Sequence, residues 1–266
     1  MYNEEIPIPP LAMVDDILVA ALCNSIHSLN ASIKTDTFIQ RKKLEGQVGD
    51  GKCQWVHHGK GDCKASYMMN GDYITEAKTY KYLGDQVANK WNILYEKRWE
   101  KAQGYSSTCQ AMSTEFSLGY HKYSIAKLLH QSIFVNGTLV NMETWPHFTK
   151  SRIEMFERTE QMFFRKILNG HSKTPIECLY LEIGAVPLRF HLMTRRIMYL
   201  QCVLQRDDEE ITKRVVLCQK AKCRDGDFYT QTKADMDYLA ISEENSESGN
   251  NAIKRPLSKE CGTKSI

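Results

Sequence analysis

Two aspartates, Asp15 and Asp16, lie inside an apolar run, PLAMVDDILVAALC, residues 10–23. Unpaired carboxylates are costly to bury, so the fold must turn them outward or supply cations. Apolar residues on both sides of a short polar pair predict a strand, a tight turn and a strand, with the aspartates at the hairpin tip. Paired carboxylates on rigid strands suit Mg²⁺ and phosphoryl transfer. A surface turn or a helix cap is the alternative for such a dipeptide.

A second set of metal-ligating residue types occurs at Cys53, His58 and Cys63. Their spacing matches the last three ligands of a zinc knuckle, but the position of the fourth ligand is Asp50 rather than a cysteine. We therefore do not favour zinc at this segment. The chain has nine cysteines, an odd number scattered through apolar contexts, which predicts reduced thiols in the core.

Positive charge is concentrated in the middle of the chain. Residues 78–206 carry 18 basic and 10 acidic side chains, a net charge of +8, whereas residues 1–77 and 207–266 have net charges of −3 and −2. A localised basic segment predicts a surface for a polyanion, and a solvated helical face is the milder alternative. No apolar stretch has the length of a membrane span and the N-terminus is acidic and proline-rich, so we expect a soluble, intracellular protein.

The hydrophobic pattern changes along the chain. Short apolar runs broken by Gly, Asn and Asp fill residues 10–83 and predict mixed α/β structure, with one helix near residues 33–44. Residues 92–206 have helical periodicity. We expect one helical face to hold Ile125, Leu128, Leu129, Ser132 and Ile133, and another to hold Ile153, Phe156, Glu160, Phe163, Phe164 and Ile167. Helix breaks are expected at Gly104, Gly119–Tyr120, Trp145–Pro146, Asn169–Gly170, Pro175 and Gly184–Pro187.

Several segments resemble reverse transcriptases. PLAMVDDIL, residues 10–18, resembles the metal-binding hairpin of that family, and KTDTFIQRKKLEGQVGDGKCQWVHHGK, residues 34–60, is similar to the helix and strand that follow it in the palm. YKYLGD, residues 80–85, resembles the primer-grip hairpin. The basic helical stretch is similar to the thumb of non-LTR (LINE-type) retrotransposon enzymes, through LLHQSIFVNGTLVNMETW, IEMFERTEQMFFRKIL, TPIECLYLEIGAVPLRF and RRIMYLQCVLQR. The resemblance covers residues 9–240 and is carried by the order of the motifs.

The resemblance implies an α+β fold with four parts. These are a partial polymerase palm at residues 1–90 (the hairpin with the two aspartates, a helix and the primer-grip hairpin), a mostly α-helical thumb at 91–206, a helical extension at 207–242 and a disordered tail at 243–266. The implied activity is RNA-directed DNA synthesis, in which a primer 3′-hydroxyl attacks the α-phosphate of a deoxynucleotide.

The resemblance also implies roles for single residues. Asp15 would be the ligand shared by two Mg²⁺ ions, with Mn²⁺ as the alternative, and Asp16 would be its weaker neighbour. The primer end would be held by Lys81, Tyr82, Leu83 and Gly84. The implied partners are an RNA template and a DNA primer.

Two features depart from the family pattern. Met13 stands where the family has an aromatic residue, and the family's first catalytic aspartate, nucleotide-binding loop and fingers precede this hairpin, whereas the sequence starts fourteen residues before Asp15. We therefore expect a polymerase fragment that is inactive alone and that works with an N-terminal part of the same element. The alternatives are a non-catalytic, degenerate or domesticated helical module that binds nucleic acid or protein, and a mis-predicted reading frame whose product folds poorly.

Overall fold

The computed structural model describes residues 11–13, 16–18, 54–57, 67–69, 72–82, 85–115, 122–145 and 148–241. The chain divides into two compact units, Met1–Glu96 and Lys97–Ile266, and the boundary falls inside a long helix. The predicted helix near residues 33–44 and the expected tail at residues 243–266 lie outside the described residues.

The described residues of the first unit form short strands in three small sheets. Strands β1 and β2 form the antiparallel hairpin that the apolar run predicts. Strand β5 lies between β3, which is parallel to it, and β4, which is antiparallel, while β6 and β7 form another hairpin. The strands are β1 (Leu11–Met13), β2 (Asp16–Leu18), β3 (Gln54–Trp55), β4 (Tyr67–Met69), β5 (Asp72–Glu76), β6 (Thr79–Tyr82) and β7 (Asp85–Ala88).

Helices follow, from residue 91 to residue 238. They include a stretch of π-helix at His130–Val135 and a short 3₁₀ segment at Met142–Thr144. The α-helices are α1 (Trp91–Glu115), α2 (Lys122–Leu129), α3 (Asn136–Leu139), α4 (Lys150–Leu168), α5 (Ile176–Ile183), α6 (Leu188–Leu204), α7 (Ile211–Lys222) and α8 (Phe228–Tyr238).

Most of the predicted helix ends are confirmed where the structure describes them. Helices α4 and α5 end at Asn169 and Gly184, both in the left-handed conformation with φ of 52° and 64°. The residue after each cap donates its N–H back into the helix, as such C-terminal caps require. Pro175 and Pro187 each immediately precede the helix that follows.

The predicted break at Gly104 is wrong, because α1 runs through it without interruption. A single glycine costs about 1 kcal/mol relative to alanine in a helix. The flanking turns bury Ala102, Ser106 and Cys109, and this packing outweighs the cost.

The predicted face of residues 125–133 is also wrong in part. Leu128 is 64% exposed and Ser132 is exposed, whereas Ala126, Leu129 and His130 are buried. Leu128 lies before the π-helix, on α2, whose buried positions are Ala126 and Leu129. From His130 onward the π-helix, with more residues per turn than an α-helix, shifts which side chains face the core. A pattern read at 3.6 residues per turn therefore loses phase at this point.

The core of the second unit is aromatic around α4. Phe156, Phe163 and Phe164 are fully buried, and the ring of Phe164 meets the edge of Tyr180 on α5 at a centroid distance of 5.3 Å. These phenylalanines occupy the apolar face predicted for α4. Further along the chain, α6, α7 and α8 share one cluster of buried residues: Ile197, Leu200, Val203, Val216, Phe228, Tyr229, Met236 and Leu239.

The structure is compatible with the α+β class, because small sheets precede a mostly helical unit. Within the described part of the chain, no helix has the length and apolar character needed to cross a membrane. The expectation of core thiols is confirmed for Cys109 and is wrong for Cys178, Cys202 and Cys223, which are exposed because they lie on the solvent sides of their helices or just after one.

Candidate functional site

The hairpin of β1 and β2 pairs Met13 with Asp16 and leaves two residues, Val14 and Asp15, between the strands. Asp16 is therefore the first residue of the return strand. Asp15 and the side chain of Asp16 lie outside what the structure describes. The register agrees with the predicted hairpin tip.

Two other hairpins of the same unit have the same layout. Asp72 pairs with Met69 at the start of β5, and Asp85 pairs with Tyr82 at the start of β7. Each connection is two residues long, and aspartate is a common residue beside tight turns. Asp16 thus occupies an ordinary position, and the feature peculiar to the first hairpin is the additional aspartate, Asp15, within the connection.

The donor chemistry of Asp15 and Asp16 fits Mg²⁺, which prefers carboxylate oxygens. Among the residues that the structure describes, no three His, Cys, Asp or Glu side chains come together as a metal site. The zinc candidates Cys53, His58 and Cys63 all lie outside the described residues.

The predicted primer-grip segment is the hairpin of β6 and β7. Lys81 pairs with Gln86 across the two strands and is exposed, while Tyr80 and Val87 are half-buried. Tyr82 ends β6, and Leu83 and Gly84 lie outside the described residues. Of the four predicted primer contacts, the structure thus shows one side chain, Lys81, on the solvent side of a hairpin.

The outer face of α4, in the second unit, is more basic than the sequence of that helix suggests. Two of its acidic residues, Glu157 and Glu160, are buried on the inner face of α4 with exposures of 2% and 0%. The outer face of the same helix presents Lys150, Arg158 and Lys166 to solvent. Because the carboxylates turn inward, the outer face of α4 keeps an excess of positive charge.

Several basic residues of the predicted thumb have structural partners instead. Arg196 is buried and pairs with Asp235 at 2.8 Å, and Arg189 pairs with Glu157. Arg165 donates to the carbonyl oxygens of His171 and Thr174 at 2.7 and 3.0 Å, which ties down the loop after α4. The net charge of the segment is therefore a poor measure of its binding surface, because several of its arginines bind other groups within the fold.

A buried polar network, which we call the Glu160 network, joins four helical segments. Glu160 Oε1 lies 2.7 Å from His130 Nε2, and Oε2 accepts a hydrogen bond of 2.5 Å from the hydroxyl of Tyr180 and one of 3.3 Å from the N–H of Leu188. His130 Nδ1 has no partner among the described residues, so the imidazole proton is best placed on Nε2. His130 and Glu160 are completely buried.

Glu157 completes the arrangement one helical turn away. Its Oε1 accepts from the backbone N–H of Arg189 at 3.3 Å and from Arg189 Nε at 2.7 Å. Leu188 and Arg189 are the first two residues of α6, whose N–H groups have no partner inside the helix. The two glutamates of α4 therefore cap the N-terminus of α6, where the helix dipole also favours negative charge.

Burial, together with the negative charge of Glu160, raises the pKa of Tyr180, so its phenol stays protonated and remains a donor. A network with no exposed atoms at His130 and Glu160 admits no substrate, and its chemistry is structural. The sequence predicts Glu160 on the apolar face of α4 but indicates no partner for it. The signal was present, since Glu157 and Glu160 share the phase of Phe156, Phe163 and Phe164.

Comparison with known proteins adds no assignment: no protein-family model, no curated protein and no solved structure matches this chain.

Proposed function

We propose that this chain carries the end of the palm and the thumb of a non-LTR retrotransposon reverse transcriptase, and that it binds the duplex of RNA template and DNA primer. The single observation that carries the proposal is the hairpin of β1 and β2, which brings Asp15 into a two-residue connection directly before Asp16. The proposal also draws on the hairpin of β6 and β7 and on the basic outer face of α4.

In this proposal Asp15 and Asp16 hold Mg²⁺, which when bound stabilises negative charge on the reacting phosphate. Lys81 lies on the exposed side of its hairpin, where an ammonium group can contact a primer phosphate. Lys150, Arg158 and Lys166 on α4 contact the duplex backbone, which carries no sequence information. Binding is accordingly expected to be tight at low salt and indifferent to sequence.

The experiment is a binding titration of the full chain with a fluorescein-labelled RNA–DNA hybrid between 50 and 200 mM salt, a range over which six to ten phosphate contacts cost roughly 10³- to 10⁵-fold in affinity. A triple variant, Lys150→Gln, Arg158→Gln and Lys166→Gln, should bind more weakly and with a shallower salt dependence. Its matched control, Lys150→Arg, Arg158→Lys and Lys166→Arg, keeps every charge and should bind like the parent.

Absence of binding by the parent chain, or a salt-independent affinity, would contradict the proposal. A second candidate is a non-catalytic module that binds nucleic acid through the helical unit alone. It is favoured by the inward position of Glu157 and Glu160, since this leaves the outer face of α4 basic independently of the two aspartates. The two functions differ in the role of Asp15: the polymerase requires it for nucleotide transfer, whereas the non-catalytic module does not.

A further inference from the structure

We infer that Arg195 on α6 and Asn136, the residue that follows the π-helix, together form a binding site for one phosphate group of a nucleic-acid backbone. Arg195 Nη2 donates a hydrogen bond of 2.6 Å to Asn136 Oδ1 at the protein surface. The inference rests on the proposed nucleic-acid binding and adds a site that is built from other elements than α4.

The positive charge of Arg195 is not neutralised by a carboxylate among the described residues. Helix α6 contains three arginines and no acidic residue. Glu157 of α4 pairs with Arg189, and Asp235 of α8 pairs with Arg196. Arg195 instead donates to a neutral amide, its one hydrogen-bond partner within the described part of the chain. The fold therefore neutralises two of these charges and leaves the third available to an anion.

The hydrogen bond fixes which groups of the two side chains remain for a ligand. A guanidinium group carries donors and no acceptor, so the amide must turn its oxygen toward Arg195. The amide nitrogen of Asn136 is the group that remains, and it is also a donor. Nε and Nη1 of Arg195 make no hydrogen bond with a described residue. The remaining groups of the pair are thus all donors next to a positive charge, an arrangement that suits an oxyanion.

Packed elements hold the two side chains in place. Asn136 directly follows Phe134 and Val135, which are buried in the π-helix. Arg195 directly precedes Arg196 and Ile197, which are buried on α6. The backbone beside each member of the pair is therefore fixed before a ligand binds, which lowers the entropy lost on binding.

The segment around Asn136 does not repel an anion. No acidic residue occurs between residues 129 and 142, and the next one, Glu143, is half-buried. The exposed neighbours Gln131, Ser132 and Val140 are uncharged. The basic outer face of α4 in the same unit favours a polyanion over a single acidic side chain as the source of the oxyanion. We therefore assign the site to a backbone phosphate and make an acidic protein an outcome of the test.

A purely structural role for the pair predicts a different behaviour. A hydrogen bond at the surface contributes little to stability, because water satisfies the same groups in the unfolded chain. Asn136→Asp would give Arg195 an exposed ion pair in place of a bond to a neutral amide, so the chain should keep its stability. The same substitution neutralises the site, so phosphate binding should fall. One substitution thus separates the two roles.

The test uses the full chain and the fluorescein-labelled RNA–DNA hybrid. Arg195→Gln and Asn136→Asp should each bind the hybrid roughly tenfold more weakly at about 0.1 M salt, because a hydrogen bond to a charged group is lost. The salt slope should fall by about 0.9 for the one phosphate that is no longer neutralised. Lys233→Gln, on an exposed lysine of α8, makes the same change in net charge and should bind nearly like the parent. Thermal melts by circular dichroism measure the stability of each variant.

Binding of the hybrid by folded Asn136→Asp or Arg195→Gln that equals binding by Lys233→Gln would overturn the inference. The proposed function would survive that result, because the substitutions on α4 test it separately. Asn136→Asp keeps the test decisive should Arg195→Gln lower the melting temperature, since it preserves the size of the side chain and its contact with Arg195. Stronger competition by poly-L-glutamate than by unlabelled hybrid at equal charge, abolished by Asn136→Asp, would overturn the assignment to nucleic acid and indicate an acidic protein. No binding by the parent chain would overturn both proposals.

Discussion

Glu160 shows how a single carboxylate can organise a helical unit. It lies on the apolar face of α4 and receives hydrogen bonds from a histidine, a tyrosine and the first backbone N–H of α6. A buried carboxylate that accepts several hydrogen bonds is tolerated. Removing the carboxylate, or one of its donors, leaves unpaired polar groups in the core. Its contribution is therefore best measured by deletion.

Glu160→Ala should lower the free energy of unfolding by about 3–5 kcal/mol, because His130, Tyr180 and the N-terminus of α6 lose their shared acceptor. The measurement is urea denaturation followed by circular dichroism. Glu154→Ala on the same helix is the control: its ion pair with Lys150 is 4.0 Å long and solvent-exposed, so its effect should stay within about 0.5 kcal/mol. Comparable losses from the two substitutions would contradict this account of the network.

His191 gives the second unit a dependence on pH. Burial lowers the pKa of His191; the negative charge of Glu160 opposes this shift and the positive charge of Arg195 assists it. Above the ordinary histidine pKa of about 6.5, the residue is neutral in both states. As the pH falls below that value, the unfolded chain gains a proton that the folded chain resists, so the free energy of unfolding decreases.

His191→Gln should therefore reduce the loss of stability between about pH 7.5 and about pH 5.5, in urea melts at both values. His171→Gln, on an exposed histidine of the same unit, should leave the loss as it is in the parent. The prediction would be contradicted if the parent chain had a higher free energy of unfolding at the lower pH and His191→Gln removed that difference.

At the scale of elements, two glycines in helices have opposite surroundings. A Cβ atom on Gly104 of α1 would meet nothing within 4 Å, whereas one on Gly137 of α3 would lie 2.7 Å from Cε2 of Tyr105. Arg98 also donates to the carbonyl of Gly137 at 3.4 Å. Gly137 of α3 thus permits the close approach of Tyr105 on α1, whereas the position of Gly104 on α1 has room for a side chain.

Gly104→Ala should stabilise the chain by about 0.5–1 kcal/mol through helix propensity. Gly137→Ala should instead destabilise it by about 1–3 kcal/mol, because the tyrosine ring must move. In a Tyr105→Ala background the cost of Gly137→Ala should shrink, and a double-mutant cycle by urea denaturation measures this coupling. Stabilisation by both alanine substitutions would show that the contact of Tyr105 with Gly137 does not exclude a side chain at position 137.

The same elements show which parts of the fold were predictable. The hairpin at residues 11–18 and the helix ends at Asn169 and Gly184 follow from local turn and cap chemistry, which the residue types encode. The π-helix at His130–Val135 could not be predicted, because periodicity assumes a constant number of residues per turn. The continuity of α1 through Gly104 depends on tertiary packing that no local pattern contains.

For the whole molecule, average charge was a poor guide to the surface. The basic excess of residues 78–206 was visible in the sequence, but the burial of Glu157 and Glu160 and the pairing of Arg189 and Arg196 redistribute it. The hairpin beside the candidate metal residues was predictable because its turn chemistry is local, and metal binding by Asp15 and Asp16 stays a prediction. Surface charge, by contrast, depends on which faces the packing covers.

The predicted tail at residues 243–266 lies outside the described residues and stays a prediction. Its polar composition offers little apolar surface to offset the entropy of ordering it. Truncation after Ser242 should leave the cooperative thermal transition unchanged, and limited proteolysis should remove the tail first. A lower melting temperature after truncation would indicate that the tail docks on the folded part.

The most direct test of the central claim is Mg²⁺-dependent extension of a DNA primer on an RNA template, by this chain fused to the fingers and first-aspartate strand of a LINE-type enzyme. Asp15→Asn should reduce extension by about 10³-fold or more, because a set of metal ligands acts as a unit. Asp72→Asn is the control for the same chemical change: Asp72 begins the return strand of another two-residue hairpin, the position that Asp16 has in the first hairpin, and its substitution should leave extension unchanged. Extension that is indifferent to Asp15, or equally sensitive to Asp72, would contradict the account.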